Sequence, residues 1–346
     1  MVKTIVLVFF VILSIPNEAG CVVTNYLTSG SARIRALSMA SAYTSIEDDF
    51  SAGFYNPGAF KVNATRNERS FRVFFNPVGV ATGLYDFRTY DPDYERDEEL
   101  TVKEGLYSLA TMLKGAVYTT SVFDVGFGLW EEVIPFNTTA TETARSGRFF
   151  SYENLMHQAF HSAFFNIKIA PSVSFGLSGT LFSERNHGDI TYSSGHTFGI
   201  LLNPNPKMKV GIAYNFLPKQ FSNARIRLES IENETITSGI SYYPDLNTVL
   251  SIDLRNLTRE DKAISREIHT GIERKIADLV AIRAGYYRKK TTPNDVLSFG
   301  IGILPKKEEI SKYATSSRND TLSYTVILEE DGSKRQWHML SLLLRY

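Results

Sequence analysis

The chain has 346 residues, in which 37 lysines and arginines balance 37 aspartates and glutamates. A net charge of zero gives no electrostatic basis for binding nucleic acid, so we expect no nucleic-acid partner. Cys21 is the single cysteine, which excludes a disulfide within the chain. The aromatic content of 12% is high for a soluble domain and favours a surface at a boundary between water and an apolar phase.

An apolar run near the N-terminus predicts an export signal over residues 1–21. Lys3 supplies a short basic region, and residues 4–15 are mostly apolar. The run is shorter than the roughly 20 residues of a membrane-spanning helix, although a buried or anchoring helix is the alternative. Cleavage after Cys21 suits an ordinary signal peptidase. The run also ends like a lipoprotein signal, in which Cys21 would carry the lipid, but Glu18 stands where such signals usually have an aliphatic residue.

The stretch "AYTSIEDDFSAGFYNPGAF", which follows the leader, predicts a short helix and a sharp turn. Asp48 or Asp49 can cap the helix by accepting hydrogen bonds from its first amides, and acidic charge suits a helix N-terminus. Pro57 disfavours helical geometry at Asn56, and Gly58 permits an abrupt turn. The helix precedes the first strand, and its small and aromatic side chains can pack inside an enclosing structure. We therefore interpret this segment as a plug, although capping and turn formation alone would also explain these residues.

From residue 69 onward, strict alternation of residue types is the dominant pattern. Bulky apolar residues alternate with small or charged ones in Phe123–Leu129, in Ser172–Phe182 and in Met208–Phe216. A period of two places each set on one side of a β-strand. Turn signals such as "NPNPK" and "YPDLN" separate several of these segments.

Three features favour a transmembrane barrel over a soluble β-sandwich, which also alternates. The strands are commonly about nine to eleven residues long, as a tilted transmembrane strand requires. Paired aromatics such as Phe164–Phe165 and Tyr286–Tyr287 flank them, and the last strand ends on Tyr346. Backbone groups in lipid must all be hydrogen-bonded, so such a sheet closes on itself. We predict an all-β fold: a transmembrane antiparallel β-barrel of about 14 strands over residues 69–346, with a short N-terminal helical plug over residues 22–68.

The segment from "ALSMASAY" to "NPGAF" resembles the N-terminal signature of the outer-membrane long-chain fatty-acid transporter superfamily. It is closer still to a branch that includes a scaffold protein of a secretion system. Small residues, an Asp-Asp pair and an Asn-Pro turn make up this signature, and the chain supplies them as Ala42, Asp48, Asp49, Asn56 and Pro57. The chain has Gly-Ala after the proline where the family commonly has Ala-Gly. Residues 268–287 also resemble the late hairpin of the family, and the likeness elsewhere is loose.

The resemblance implies a barrel in the bacterial outer membrane, surrounded by its lipids, that takes up hydrophobic small molecules such as long-chain fatty acids. The plug would block free diffusion and move to open a path. The residues that the resemblance assigns to positioning this plug are Asp48, Asp49, Asn56, Pro57 and Gly58.

Other functions remain open at this point. A scaffold would bind a secreted protein or a secretion component through its outer loops, with a closed lumen. A general diffusion porin would carry rings of charge around an open pore. The predicted inner face does carry charges, which can also be structural: Lys209, Asp253, Arg255 and Arg283.

Signals for an enzyme are poor. His157 and His161 lie four residues apart, but no further ligands with suitable spacing accompany them. Gly176–Gly179 lacks the final glycine of a nucleophile elbow. We predict no catalytic residue, no metal site and no cofactor.

Overall fold

A computed structural model describes residues 24–28, 31–61, 69–78, 110, 112–132, 158–186, 189–216, 234–257, 266–277, 279–288, 295–304, 321–330 and 334–345. The predicted signal peptide, including Cys21, lies outside these ranges, as does His157. No helix within the described ranges is long and apolar enough to cross a membrane.

Sixteen strands, two short α-helices and a 3-10 turn make up the described chain. The helices are α1 (Ile34–Leu37) and α2 (Phe50–Tyr55), and the 3-10 turn is Pro57–Ala59. The strands are β1 (Thr24–Thr28), β2 (Ser70–Phe75), β3 (Leu113–Thr119), β4 (Phe123–Glu132), β5 (Gln158–Ala170), β6 (Val173–Asn186), β7 (Asp189–Asn205), β8 (Met208–Phe216), β9 (Thr235–Tyr242), β10 (Thr248–Arg255), β11 (Glu267–Ile276), β12 (Val280–Arg288), β13 (Asp295–Ile303), β14 (Leu322–Glu330), β15 (Lys334–Leu342) and β16 (Leu344–Arg345).

The sheet forms a nearly closed barrel. Strands β2 to β15 pair antiparallel in chain order, which gives the predicted 14-stranded meander. Strand β16 continues the last strand after Leu343 and pairs with β2 at Leu344↔Phe75 and Arg345↔Phe74, so the end of the barrel sequence meets its beginning. Strand β1 lies parallel to β15, from Thr24↔Arg335 to Thr28↔Met339.

The two faces of the barrel follow the predicted alternation. On β10, Leu250, Ile252 and Leu254 are exposed, with Ile252 54% exposed, whereas Ser251 and Asp253 are buried. The same outward exposure of large apolar side chains recurs from β3 to β13. An apolar outer band on a sheet whose strands pair side by side is the arrangement that lipid requires, so the fold is a transmembrane β-barrel.

The strands reverse direction at two ends of the barrel, which we name for reference. Turns at residues 120–122, 171–172 and 206–207 join neighbouring strands at one end, where the last strand also ends; we call it the turn end. The connections 76–112 and 133–157 join strands at the opposite end, which we call the loop end.

Candidate functional site: the plug and its contacts with the barrel wall

Residues 31–61 lie inside the barrel and form a plug. Helix α1, helix α2 and the 3-10 turn belong to this segment. Every residue of the plug is buried apart from five that are partly buried: Ala32, Arg35, Glu47, Phe54 and Lys61. A stretch with so little regular structure is buried this completely because the wall surrounds it, and its polar groups must therefore find partners on the wall or within the plug.

The Asn-Pro-Gly sequence ends helix α2 as predicted. Asn56 is extended, with φ −150° and ψ 100°, and its Oδ1 accepts a hydrogen bond from the backbone N–H of Gly58 at 2.9 Å. The Nδ2 group of Asn56 donates to the carbonyl oxygen of Thr44 at 2.7 Å and to that of Ile200, on β7, at 3.0 Å. One side chain thus fixes the turn, joins two parts of the plug and attaches the plug to the wall.

The wall approaches the 3-10 turn very closely. Asn166 of β5 donates from Nδ2 to the carbonyl oxygens of Pro57 at 2.9 Å and of Gly58 at 2.8 Å, and Ser174 of β6 donates to Gly58 O at 2.7 Å. A β-carbon placed on Gly176 would lie 2.1 Å from the carbonyl carbon of Pro57. Only a residue without a side chain allows the two backbones this approach.

Glycines on other strands make the same close approach. A β-carbon on Gly211 would lie 2.0 Å from Thr44 O. By contrast, a β-carbon on Gly179, on the outward side of β6, would meet no atom within 4 Å. On five wall glycines, an added β-carbon would lie within 3 Å of a backbone atom of the plug: Gly176, Gly199, Gly211, Gly271 and Gly285.

The two predicted capping aspartates have other roles. Asp49 occupies the N-cap position of α2, but its side chain makes no capping hydrogen bond. Asp48 Oδ2 accepts from Arg35 Nη1 at 2.8 Å and from the Tyr43 hydroxyl. The prediction that an aspartate caps α2 was therefore wrong: Asp48 Oδ1 accepts from the amide of Asp49, which precedes the helix, at 2.9 Å, and Arg35 and Tyr43 occupy Oδ2.

An ion-pair network joins α1 to strands β11 and β12. Arg35 donates from Nε and Nη2 to the two carboxylate oxygens of Glu273, both at 2.8 Å, and Arg283 donates from Nε to Glu273 Oε2 at 2.6 Å. The three side chains are at most 11% exposed. Removing one partner of such a buried network typically costs about 3–5 kcal/mol, because the remaining charge is left uncompensated.

Strand β10 binds the middle of the plug. Asp253 Oδ2 accepts from the backbone N–H groups of Tyr43 at 2.8 Å and Thr44 at 2.9 Å, and from Thr44 Oγ1 at 2.6 Å. Arg255 Nη2 donates to Ser41 O at 2.5 Å. These bonds replace the backbone partners that irregular chain lacks.

Neighbouring strands continue this pattern. Ala40 N–H donates to Ser298 Oγ on β13 at 2.8 Å, and Ser298 Oγ donates to Ser38 O at 3.1 Å. His269 Nδ1 lies 2.7 Å from Ala40 O and donates to it in the tautomer that this bond requires. We call the contacts of residues 35–47 with strands β8–β13 the polar seam. A cavity with room for about one water molecule lies beside it, lined partly by Ser41, His269 and Ser298.

Glu47 ties the polar seam to the turn end of the lumen. Lys61 Nζ lies 3.2 Å from Glu47 Oε2, and Lys209 Nζ on β8 binds the same oxygen. Burial raises the pKa of Glu47, but the two ammonium groups outweigh it and lower the pKa from 4.5 to about 2. The carboxylate is therefore ionised at any physiological pH.

Aromatic rings hold the plug on the other side of the lumen. Phe50 and Phe54 lie four residues apart on one face of α2. Phe50 meets the ring of Phe74 edge-on at 4.3 Å between centroids, and Phe54 meets Phe164 edge-on at 5.0 Å. We call this contact the apolar seam; it consists of Phe50, Phe54 and Phe60 from the plug and Phe74, Phe160 and Phe164 from β2 and β5.

A further ion pair flanks the apolar seam towards the loop end. Arg33 Nε donates to Glu131 Oε1 at 2.8 Å, and Ser31 Oγ and the Ala32 amide donate to the same carboxylate at 2.6 and 2.9 Å. The Arg33 guanidinium also lies over the Phe160 ring, 5.2 Å from its centroid. The first residues of the plug are thereby fixed to β4.

The structure places the inner-face charges named from the sequence at the polar seam. Lys209, Asp253 and Arg255 lie on the inward side of the wall and contact the plug, and Arg283 contacts Glu273. Several wall residues that bind the plug were not singled out from the sequence: Glu273, Asn166, Ser174, His269, Ser298 and the close-approach glycines. Alternation marks each as inward-facing, but only spatial contact distinguishes them from other inward residues.

The fold and this site define a transmembrane β-barrel whose lumen holds an N-terminal plug. No protein-family model matches the chain, and no curated protein matches it. Among solved structures, the toluene transporter TbuX of Ralstonia pickettii aligns over 90% of this chain and 96% of its own, at 9% identity and a TM-score of 0.45. Two engineered variants of the porin of Rhodopseudomonas blastica align over 68% of this chain and 77% and 78% of their own, at 8% and 10% identity and TM-scores of 0.34 and 0.36. Likenesses this weak carry no argument about family or function.

Proposed function

We propose that the chain is a bacterial outer-membrane barrel that takes up hydrophobic small molecules, such as long-chain fatty acids, through a lumen gated by the plug. The observation that carries the proposal is the apolar seam. It is a continuous surface of aromatic rings, whereas the contacts of the plug with strands β8–β13 combine apolar side chains with charges and hydrogen bonds. Such a surface accepts an apolar molecule and offers nothing to a hydrated one.

The lumen charges support a gated barrel over a general diffusion porin. A porin exposes rings of charge to water in an open channel. Lys209, Asp253 and Arg255 instead bind plug atoms, and Arg283 is 2% exposed. With the plug in place, these charges serve to hold it.

Uptake by intact cells tests this proposal. The chain is produced in a Gram-negative strain that lacks its own outer-membrane fatty-acid transporter, and accumulation of radiolabelled oleate is measured against empty vector. Folded barrel is verified in each culture by its shifted gel mobility before boiling. We expect oleate uptake above the vector level, without increased entry of a hydrophilic antibiotic. Vector-level uptake from cells that contain folded barrel would contradict the proposal, and rapid antibiotic entry would favour a porin.

A scaffold that binds a secreted protein is the second candidate. The density of polar contacts around residues 35–47 favours it, because a scaffold needs a lumen that stays closed. The same cultures discriminate between an uptake barrel and a scaffold. A scaffold requires that cells containing folded barrel take up no oleate above the vector level. Mass spectrometry of apolar molecules extracted from the purified barrel, beside an unrelated barrel, gives an independent reading, since a scaffold should hold no enriched ligand.

A further inference from the structure

We propose that an apolar ligand passes the plug along the apolar seam, between helix α2 and strands β2–β5, while the polar seam keeps the rest of the plug in place. The inference rests on the proposed uptake function and adds the route and the part of the plug that moves. It also limits the ligand to a slender or flat apolar group, such as an acyl chain or an aromatic ring.

The chemistry of the two seams determines which of them an apolar ligand can open. A ring such as Phe164 that loses its contact with Phe54 regains an equivalent contact when an apolar ligand takes the place of Phe54. Asp253, by contrast, holds Tyr43 and Thr44 through three hydrogen bonds that an apolar ligand cannot replace. An apolar ligand therefore lowers the barrier to opening at the apolar seam and gives no such compensation at the polar seam.

The rings form a path along the barrel. Towards the loop end, Phe54, which is only partly buried, contacts Phe160, whose ring lies 5.6 Å from that of its cross-strand neighbour Phe182 on β6. In the opposite direction Phe60 contacts Phe164 at 5.4 Å. Lys61, next in the chain, is partly exposed and binds Glu47 near the turn end. A ligand that follows the rings thus runs past the plug from one side to the other.

The segment that must move is short and fixed at both ends. Before α2, Asp48 is bound by Arg35, which is itself held by Glu273. After α2, Asn56 is bound to Ile200 on the wall. Between these points Phe50 and Phe54 face the wall with aromatic rings, and the hydroxyl of Ser51 donates to Ala32 O within the plug. Displacing α2 alone removes Phe50 and Phe54 from the wall, breaks the hydrogen bond from the Tyr55 hydroxyl to Ser41 Oγ and leaves the ion pairs intact.

Hydrogen exchange tests, without any ligand, whether helix α2 opens more readily than the plug residues of the polar seam. The full-length barrel is folded in detergent, and amide exchange in the plug is followed at pH 7 by mass spectrometry. After correction for intrinsic rates, we expect the amides of α2, such as Gly53, to exchange at least about tenfold faster than those of Ala40, Tyr43 and Thr44, which bind wall side chains. Equal rates, or faster exchange at residues 40–44, would overturn the proposal.

Reversible bridging tests the route. Two variants carry Cys21→Ser, so that no native thiol competes. One bridges the apolar seam through Phe54→Cys and Phe160→Cys, and the other bridges the polar seam through Ser45→Cys and Ser241→Cys, where Ser241 Oγ now donates to Ser45 O at 3.0 Å. A short bifunctional methanethiosulfonate joins each pair during folding, and a reductant releases it. Each variant is its own control in the reduced state, and shifted gel mobility verifies folding.

Binding and release of radiolabelled oleate across the plug are then compared in the two bridged barrels, in outer-membrane vesicles. With the apolar seam bridged, we expect the passage of oleate to fall at least about tenfold, which corresponds to about 1.4 kcal/mol, and to recover on reduction. With the polar seam bridged, passage should change less than about twofold. Loss with the polar seam bridged, or unchanged passage with the apolar seam bridged, would overturn the route. Absence of passage in the unbridged barrel would instead contradict the proposed function, and hydrogen exchange would still decide the asymmetry.

Discussion

The apolar and polar seams hold the same plug by different contacts. The contacts differ in how strictly they depend on geometry and in whether an apolar ligand can replace them. The edge-on contact of Phe54 with Phe164 has a broad energy minimum and tolerates a new apolar neighbour. The pairing of Arg35 with Glu273 needs two oxygens at 2.8 Å and tolerates no neighbour that lacks charge. A plug can thus be fixed in register by one side of a lumen and remain separable from the other.

Disrupting the polar seam should destabilise the protein most strongly. Glu273→Gln leaves Arg35 and Arg283 buried beside a neutral amide, so we expect the free energy of unfolding to fall by about 3–5 kcal/mol. Urea unfolding, followed by the loss of shifted gel mobility, measures it. Asp245→Asn is the matched control, because its pair with Arg274 is exposed on both sides (49% and 58%) and its loss should leave the midpoint unchanged. Equal midpoints for Glu273→Gln and the wild type would show that the network does not hold the plug.

A methyl group on the wall tests how closely the plug fits. Gly176→Ala would place a β-carbon 2.1 Å from the carbonyl carbon of Pro57, so the turn must shift, at a cost of about 1–3 kcal/mol. Gly179→Ala, on the outward side of the same strand, meets no atom within 4 Å and should have little effect. Limited proteolysis of the plug and urea unfolding compare the two variants. Similar behaviour of both would mean that the plug does not press against β6.

Acid should weaken the polar seam at its turn end. Because the pKa of Glu47 is lowered to about 2 from its usual 4.5, its contribution to stability is complete above pH 4.5 and is lost as the pH falls from 4.5 to 2. We expect a loss of about 2 kcal/mol from this residue between pH 7 and pH 3. Unfolding midpoints at pH 7, 4.5 and 3 measure it, with Glu47→Gln as the comparison. The variant should lose less stability than the wild type over this range, and parallel pH curves would exclude the role of Glu47.

The smallest effect concerns the apolar seam. Phe164→Leu keeps an apolar side chain against Phe50, Phe54 and Phe60, so we expect a loss of only about 1 kcal/mol by urea unfolding. Hydrogen exchange at α2 should become faster while exchange at Tyr43 and Thr44 stays slow. A loss as large as that of Glu273→Gln would remove the distinction between the two seams.

Local pattern predicted the barrel well because lipid and a filled lumen impose opposite chemistry on alternate residues. Leu250, Ile252 and Leu254 face outwards and Asp253 faces inwards, as alternation requires. The Asn-Pro-Gly turn was also readable, since Asn56 and Pro57 act on their own neighbours. The capping role given to Asp48 and Asp49 was wrong because Asp48 binds the Asp49 amide, before the helix begins, and Arg35, which folds back from an earlier part of the plug that local rules do not consider.

The strand faces, the approximate strand number and the end of helix α2 could be predicted from local sequence, because each depends on residues two to four positions apart. Tertiary structure alone decided which inward residues bind the plug. Arg35 and Glu273 are 238 positions apart, and Asn166 meets Pro57 across 109 positions. Closing the barrel brings such residues together around the plug. The buried, irregular backbone of the plug needs hydrogen-bond partners, and the inward side chains that lie within reach supply them.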